Sequence, residues 1–156
     1  MKKQIVIVLA LLCSSVATFS MSKPANAQLG RSLVGPSVEF GNGQTVFGID
    51  SKFGISDNLS LRPFVYFPNG GTKFGTGLTY DINLKNNANA LQLTPFVGAS
   101  IDFNTGDGNT TTNFGLVGGV DLDLTDSLQL KGAVNVPLNN DRDRTVVVSV
   151  GAGFRF

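Results

Sequence analysis

The sequence predicts an all-β fold, an eight-stranded antiparallel up-and-down transmembrane β-barrel. Three observations support this prediction. Apolar and polar residues alternate with a period of two through most of residues 34–156, which is typical of strands with two unlike faces. Short turn-forming segments separate these alternating runs. Glycines concentrate on the polar face, where they would make room inside a narrow barrel.

The first 27 residues are predicted to be a secretory signal peptide. Lysines at positions 2 and 3 precede the apolar run Ile5–Leu12, and Ala25-Asn26-Ala27 supplies an A-x-A cleavage site. Residues 28–156 are then predicted to form one barrel domain, with strands beginning near residue 34. Cys13 is the one cysteine of the sequence and lies in this leader, so the mature domain would hold no disulfide.

The first four predicted strands are runs in which every second residue is apolar. The fourth is the clearest, because Phe74, Leu78 and Tyr80 alternate with polar or small residues. Glycine, asparagine, aspartate or proline fills the connections, as tight turns require. The strands are Val34–Gly41, Thr45–Ile55, Leu59–Phe67 and Thr72–Leu84, joined at Asn42–Gln44, Ser56–Asn58 and Pro68–Gly71.

The second four predicted strands follow the same pattern and end in a long one, whose even positions from Val146 to Phe156 are all apolar. Pro63 and Pro95 fall inside predicted strands and each removes a hydrogen-bond donor, so we expect a bulge or a local irregularity at each. The strands are Ala90–Phe103, Thr112–Leu124, Leu128–Val136 and Thr145–Phe156, with connections at Lys85–Asn89, Asn104–Thr111, Thr125–Ser127 and Pro137–Arg144.

The face that points outward follows from the placement of glycine and charge. The apolar face carries no charged residue in the second to eighth strands, whereas the polar face collects most strand glycines. A barrel with its apolar face toward lipid fits this distribution. A soluble lipocalin-like barrel would turn the same two faces the other way.

The charges on the polar face are nearly balanced, which predicts a filled lumen with an ion-pair network. Around the turn at Thr125–Ser127, the register places Asp121 opposite Lys131. Around Ser56–Asn58 it places Lys52 opposite Arg62, a like-charge pair that an acid such as Asp81 would have to separate. The inward charges are Lys52, Arg62, Lys73, Lys131 and Arg155, against Asp50, Asp81, Asp102, Asp121 and Asp123, with Glu39 added by the first strand.

Several functional classes are excluded by composition. The sequence has no histidine, which the known enzymes on small outer-membrane barrels use as a general base. No basic stripe suggests nucleic acid, and the mature charge is −2, from nine basic and 11 acidic residues. Asp102-x-Asn104 begins like a calcium loop, but Asn113 stands where the bidentate glutamate belongs. No catalytic, cofactor-binding or metal-binding residue is therefore predicted, and no cofactor.

The turn sequences S-D-N-L-S-L and T-D-S-L-Q-L, the strand count, the leader and the terminal Phe156 together resemble the OmpA/OmpX-like and opacity-protein-like small outer-membrane barrels. The chain departs from them in its girdle aromatics, since it has two tyrosines and no tryptophan. The resemblance implies the outer membrane of a Gram-negative cell, both termini periplasmic, and two partners. These are outer-membrane lipid and the barrel-assembly machinery, which would read the last strand ending in Phe156.

The expected function is that of a non-enzymatic outer-membrane barrel with a structural or surface-interaction role. One alternative is a soluble secreted or periplasmic lipocalin-like barrel that binds a small apolar ligand. In the membrane barrel, the inward rings of Phe64, Tyr66 and Phe96 could line an apolar pocket, but we expect them to fill the barrel core. A third possibility is a narrow channel for small or hydrophobic solutes. The expected topology places Ser56–Asn58, Lys85–Asn89 and Thr125–Ser127 in the periplasm and the other connections outside the cell.

Overall fold

The computed structural model describes residues 32–84, 92–106, 108–138 and 145–156, so the predicted signal peptide and the connection at Lys85–Asn89 lie outside it. Each strand pairs antiparallel with the next, and the eighth pairs with the first, which closes the barrel. The predicted fold class is therefore confirmed. The strands are β1 Leu33–Gly41, β2 Gln44–Gly54, β3 Leu59–Tyr66, β4 Gly71–Asp81, β5 Gln92–Gly106, β6 Asn109–Asp123, β7 Leu128–Pro137 and β8 Val147–Arg155. Among the described residues, no helix is long and apolar enough to cross a membrane.

The predicted loop at Asn104–Thr111 is wrong, because these residues continue the β5–β6 hairpin. Asn104 pairs with Thr111 and Gly106 with Asn109, and the turn contains Gly108 at a φ of 82°. Both faces of the hairpin are polar here, so the alternation of apolar and polar residues disappears. The threonines on both sides still favour extended backbone, which sustains the strands without an apolar face.

Neither Pro63 nor Pro95 creates a bulge, but the sheet is locally irregular at Pro63, which is the other form of the prediction. Residues on both sides of Pro95 keep one continuous register with β6, and the register with β4 is unbroken as far as Phe96. The Ile82 amide still donates a hydrogen bond to the Pro95 carbonyl at 2.7 Å. At Pro63 the β2–β3 register is also unshifted, but no pairing is formed there with β2, and Ser51 Oγ donates a hydrogen bond to the Pro63 carbonyl at 3.0 Å. A side-chain donor thus fills part of the gap that proline leaves in the ladder.

The apolar face of the strands points outward and the polar face lines the lumen. Phe47 is 69% exposed on the outside, whereas Asp121 is fully buried inside. The buried side chains are mostly polar or charged, which is the inverse of a soluble barrel. The predicted orientation of the two faces is confirmed.

Two lumen glycines are required by close packing. A Cβ atom at Gly119 would lie 2.2 Å from the Gly132 carbonyl oxygen and 2.7 Å from the Phe96 ring. One at Gly75 would lie 2.3 Å from the Ile101 carbonyl oxygen and 2.8 Å from the Phe64 ring. Glycine at these positions allows neighbouring backbones to approach closely and leaves room for aromatic rings in the lumen, as the glycine pattern predicts.

Phenylalanine supplies most of an aromatic belt on the outer surface. We call the end of the barrel that holds Leu33 and Phe156 the terminal end, and the opposite end the loop end. On β2, Phe47 and Phe53 are six residues apart, about 20 Å along the strand. The loop-end set is Phe40, Phe47, Phe67, Phe74, Phe103 and Phe114, and the terminal-end set is Phe53, Tyr80, Phe154 and Phe156. Phenylalanine thus occupies the girdle positions that tryptophan and tyrosine usually fill.

Candidate functional site

Four charged side chains meet inside the barrel and join opposite walls. Lys52 Nζ lies 2.8 Å from carboxylate oxygens of both Asp81 and Asp121. Arg62 lies 3.0 Å from Asp81 and makes two contacts with Asp121, at 2.7 and 3.0 Å. In an eight-stranded barrel β2 and β6 stand across the lumen from each other, so the Lys52–Asp121 bridge spans it. We refer to these four residues as the central cluster.

The central cluster is neutral, buried and hydrogen-bonded on several sides. Its two cations and two carboxylates are each at most 6% exposed. Ser60 Oγ donates to Asp81 at 2.7 Å, and Arg62 Nε donates to Thr79 Oγ1 at 2.9 Å. The guanidinium of Arg62 also stacks on Phe96, 3.6 Å from the ring centroid. Burial of four charges is tolerated here because each finds opposite charge and further hydrogen bonds.

Asp121 and Lys131 lie opposite each other on neighbouring strands, as predicted, but they do not form an ion pair with each other. The two residues are Cα partners on β6 and β7, but Lys131 forms its ion pair with Asp50 on β2. Asp121 is already bound by Lys52 and Arg62, and the long lysine side chain reaches across the lumen to a carboxylate that needs a cation. The prediction that Asp81 separates the two like charges of β2 and β3 is confirmed.

Further layers lie on both sides of the central cluster. The Asp50 carboxylate accepts hydrogen bonds at 3.1 Å from the Tyr66 hydroxyl, which in turn accepts one from Ser37 at 3.2 Å. Toward the terminal end, Arg155 pairs with Asp123 at 2.7 Å. Toward the loop end, Lys73 Nζ contacts both oxygens of Glu39 at 2.8 Å, which confirms that Glu39 of the first strand points inward.

One inward carboxylate has no cation beside it among the described residues. Asp102 is 6% exposed, and its Oδ1 accepts hydrogen bonds from Asn113 Nδ2 at 3.0 Å and Asn104 Nδ2 at 3.3 Å. Each of the five inward cations of the described strands pairs with another acid. Counted over the described residues, the lumen therefore holds one more carboxylate than cations.

A cavity of about 520 Å³ opens at the loop end of the lumen, and we call it the vestibule. Tyr66, Lys73 and Asp102 line its inner part, while turn residues such as Asn42 and Asn69 line its mouth. Its wall is rich in amides: six asparagines contribute, together with four threonines. This cavity was not predicted from the sequence, although the clustering of asparagine near the loop-end turns was the available indication.

The inward aromatic side chains fill the barrel core, as expected, rather than line an apolar ligand pocket. Phe96 is 3% exposed beneath Arg62, and Tyr66 is 2% exposed with its hydroxyl on Asp50. Phe64 packs against Tyr66 with ring centroids 5.7 Å apart. In the part of the chain that the structure describes, no three side chains of histidine, cysteine, aspartate or glutamate are grouped so as to hold a metal ion.

Comparison with solved structures identifies the fold. A de novo designed transmembrane β-barrel is 16% identical with a TM-score of 0.64, and the match covers 81% of this chain and 96% of that one. The N-terminal β-barrel domain of Pseudomonas aeruginosa OprF is 13% identical, with a TM-score of 0.59 and coverage of 81% and 98%. Neisserial surface protein A (NspA) is 15% identical, with a TM-score of 0.52 and coverage of 81% and 97%.

No family model and no curated protein sequence matches the chain. At these identities the structural likeness establishes the eight-stranded transmembrane barrel. The resemblance to small outer-membrane barrels is confirmed at that level.

Proposed function

We propose that the protein is a non-enzymatic, integral outer-membrane β-barrel with a structural or surface-interaction role. The main observation in support of this proposal is that the outer surface is apolar while ion pairs cross the lumen. Val97, Leu116 and Phe154 are 55%, 51% and 62% exposed on the outside. Such a surface is stable in lipid and would aggregate in water.

The ion-pair layers argue against an open channel as the main function. The Lys52–Asp121, Asp50–Lys131 and Glu39–Lys73 contacts each join strands that are not neighbours in the sheet. Solute passage would require several of these buried pairs to separate together, at a cost of several kcal/mol each in a low-dielectric interior. The polar lumen argues equally against a carrier of apolar ligands.

The proposed topology places both termini in the periplasm and the loop end at the cell surface. The two-strand extension of β5 and β6 beyond Asp102 and Asn113 then projects outward. Longer connections outside the cell are the usual arrangement in outer-membrane barrels. We include outer-membrane lipid and the barrel-assembly machinery as partners, the latter through Phe156, whose ring is 54% exposed.

Fractionation, gel migration and conductance test this proposal together. The protein should fractionate with outer membranes and migrate faster before boiling than after it. Purified barrel in planar bilayers should show little steady conductance. Recovery as a detergent-free periplasmic protein would refute the membrane assignment, and a large stable pore would refute the closed lumen.

A further inference from the structure

The vestibule has the polarity of a binding site for a small polar molecule. Its volume, about 520 Å³, falls within the roughly 300–1,000 Å³ of small-molecule sites. Amides and hydroxyls are frequent in its wall, so it offers both hydrogen-bond donors and acceptors. The asparagines are Asn42, Asn69, Asn104, Asn109, Asn113 and Asn135. Such a lining suits a ligand that carries several hydroxyl groups.

The charge of the vestibule favours a cationic ligand. Its described charged residues are Glu39, Asp102 and Lys73, two carboxylates and one ammonium, which gives a net charge of −1. Lys73 is held by both oxygens of Glu39. Asp102 is buried, borders the cavity, and has amide donors on Oδ1 while no described residue donates to Oδ2. A buried carboxylate in this state binds an ammonium group favourably.

We propose that the vestibule binds a small hydroxylated ammonium compound, with its ammonium group on Asp102 and its hydroxyl groups on the surrounding asparagine amides. Amino sugars and amino alcohols share this chemistry. This inference goes beyond the structural role proposed above and does not depend on which side of the membrane the vestibule faces.

A single-tyrosine variant provides the readout. The sequence has two tyrosines and no tryptophan, and Tyr80 lies on the outer surface. Tyr80→Phe therefore leaves Tyr66, at the inner part of the vestibule, as the one fluorescent reporter. Glucosamine and ethanolamine are titrated in detergent micelles at constant ionic strength, and calorimetry checks each affinity. N-acetylglucosamine, which keeps the sugar ring and loses the charge, is the matched control ligand.

We expect saturable binding of glucosamine and none of N-acetylglucosamine. Asp102→Asn, which keeps the shape and removes the charge, should weaken glucosamine binding about tenfold or more. Asp126→Asn removes one carboxylate from an exposed turn at the terminal end and should leave the affinity unchanged. Comparing glucosamine with ethanolamine decides how much the hydroxyl-rich ring contributes, and tighter binding of glucosamine supports the assigned hydroxyl contacts.

Lys73→Gln provides an independent test if Asp102→Asn does not fold, as judged by heat-dependent gel migration. Loss of this ammonium leaves Glu39 uncompensated, so glucosamine should bind several times more tightly. Four results would overturn the proposal: no binding of either probe, equal binding of N-acetylglucosamine, equal displacement of glucosamine by Na⁺ at matched ionic strength, or an affinity that neither Asp102→Asn nor Lys73→Gln changes.

Discussion

Replacing Asp121 by asparagine is expected to destabilise the barrel by about 3–5 kcal/mol, because it leaves two buried cations with a single acid. Asp121 is fully buried and binds Lys52 at 2.8 Å and Arg62 at 2.7 and 3.0 Å. After the change, the central cluster would carry two positive charges against Asp81 alone. An amide cannot replace the lost charge, and its NH₂ group would face the cations.

Urea unfolding of the refolded barrel in detergent micelles measures this loss. The folded fraction at each urea concentration is the fraction that migrates as the compact band without boiling. Asp126→Asn is the matched control, since it makes the same chemical change in an exposed turn and should shift stability by no more than about 0.5 kcal/mol. A loss below about 1 kcal/mol for Asp121→Asn, the range of surface pairs, would show that its charge is not buried in an ion-pair cluster.

A double-mutant cycle distinguishes contact from register. Asp121→Asn combined with Arg62→Met should show a coupling free energy of about 0.5–3 kcal/mol, because the two side chains touch. Asp121→Asn combined with Lys131→Met should show a smaller coupling, since Lys131 pairs with Asp50. A larger coupling with Lys131 than with Arg62 would refute the observed partners and favour pairing between register neighbours.

Three further predictions concern assembly, packing and topology. Phe156→Asp should lower the amount of folded barrel in the outer membrane while leaving leader cleavage intact. Unchanged amounts on immunoblots would show that the terminal residue is not needed for assembly. Gly119→Ala should destabilise the barrel by more than about 1 kcal/mol in the urea assay, because its Cβ would overlap backbone and ring atoms, whereas Gly132→Ala, which meets nothing within 4 Å, should cost much less. Asn69→Cys should react with a membrane-impermeant maleimide on intact cells, and Asp126→Cys only after the outer membrane is permeabilised; the reverse pattern would invert the proposed topology.

The fold could be predicted because its determinants are local. Alternation along each strand and turn residues between strands fix the hairpins, and hairpin register followed from the turns, as the opposition of Asp121 and Lys131 shows. The polar hairpin beyond Asp102 could not be predicted, since the apolar period ends where the strands leave the apolar zone. There the strands are held by backbone pairing and threonine, which give no alternation to detect.

Contacts across the lumen could not be predicted from the sequence. Lys52 and Asp121 are 69 residues apart and stand on opposite walls. Which inward residues share a level depends on the tilt and stagger of the closed barrel, which no single hairpin specifies. The sequence indicated the inventory of inward charges and their near balance. It could not indicate that Lys131 would pair with Asp50, or that no cation of the described strands would lie beside Asp102.

The carboxylate in excess, Asp102, lies at the vestibule and outside the central cluster that stabilises the barrel. The central cluster is neutral and closed, so each of its charges is needed to balance another. Asp102 borders the vestibule, where its charge balances no described cation. The same substitution, aspartate to asparagine, should therefore destabilise the barrel strongly at position 121 and leave its stability nearly unchanged at position 102. Because the charge of Asp102 balances no described cation, it can serve a ligand without weakening an ion pair of the barrel, and the proposed ammonium compound matches its surroundings.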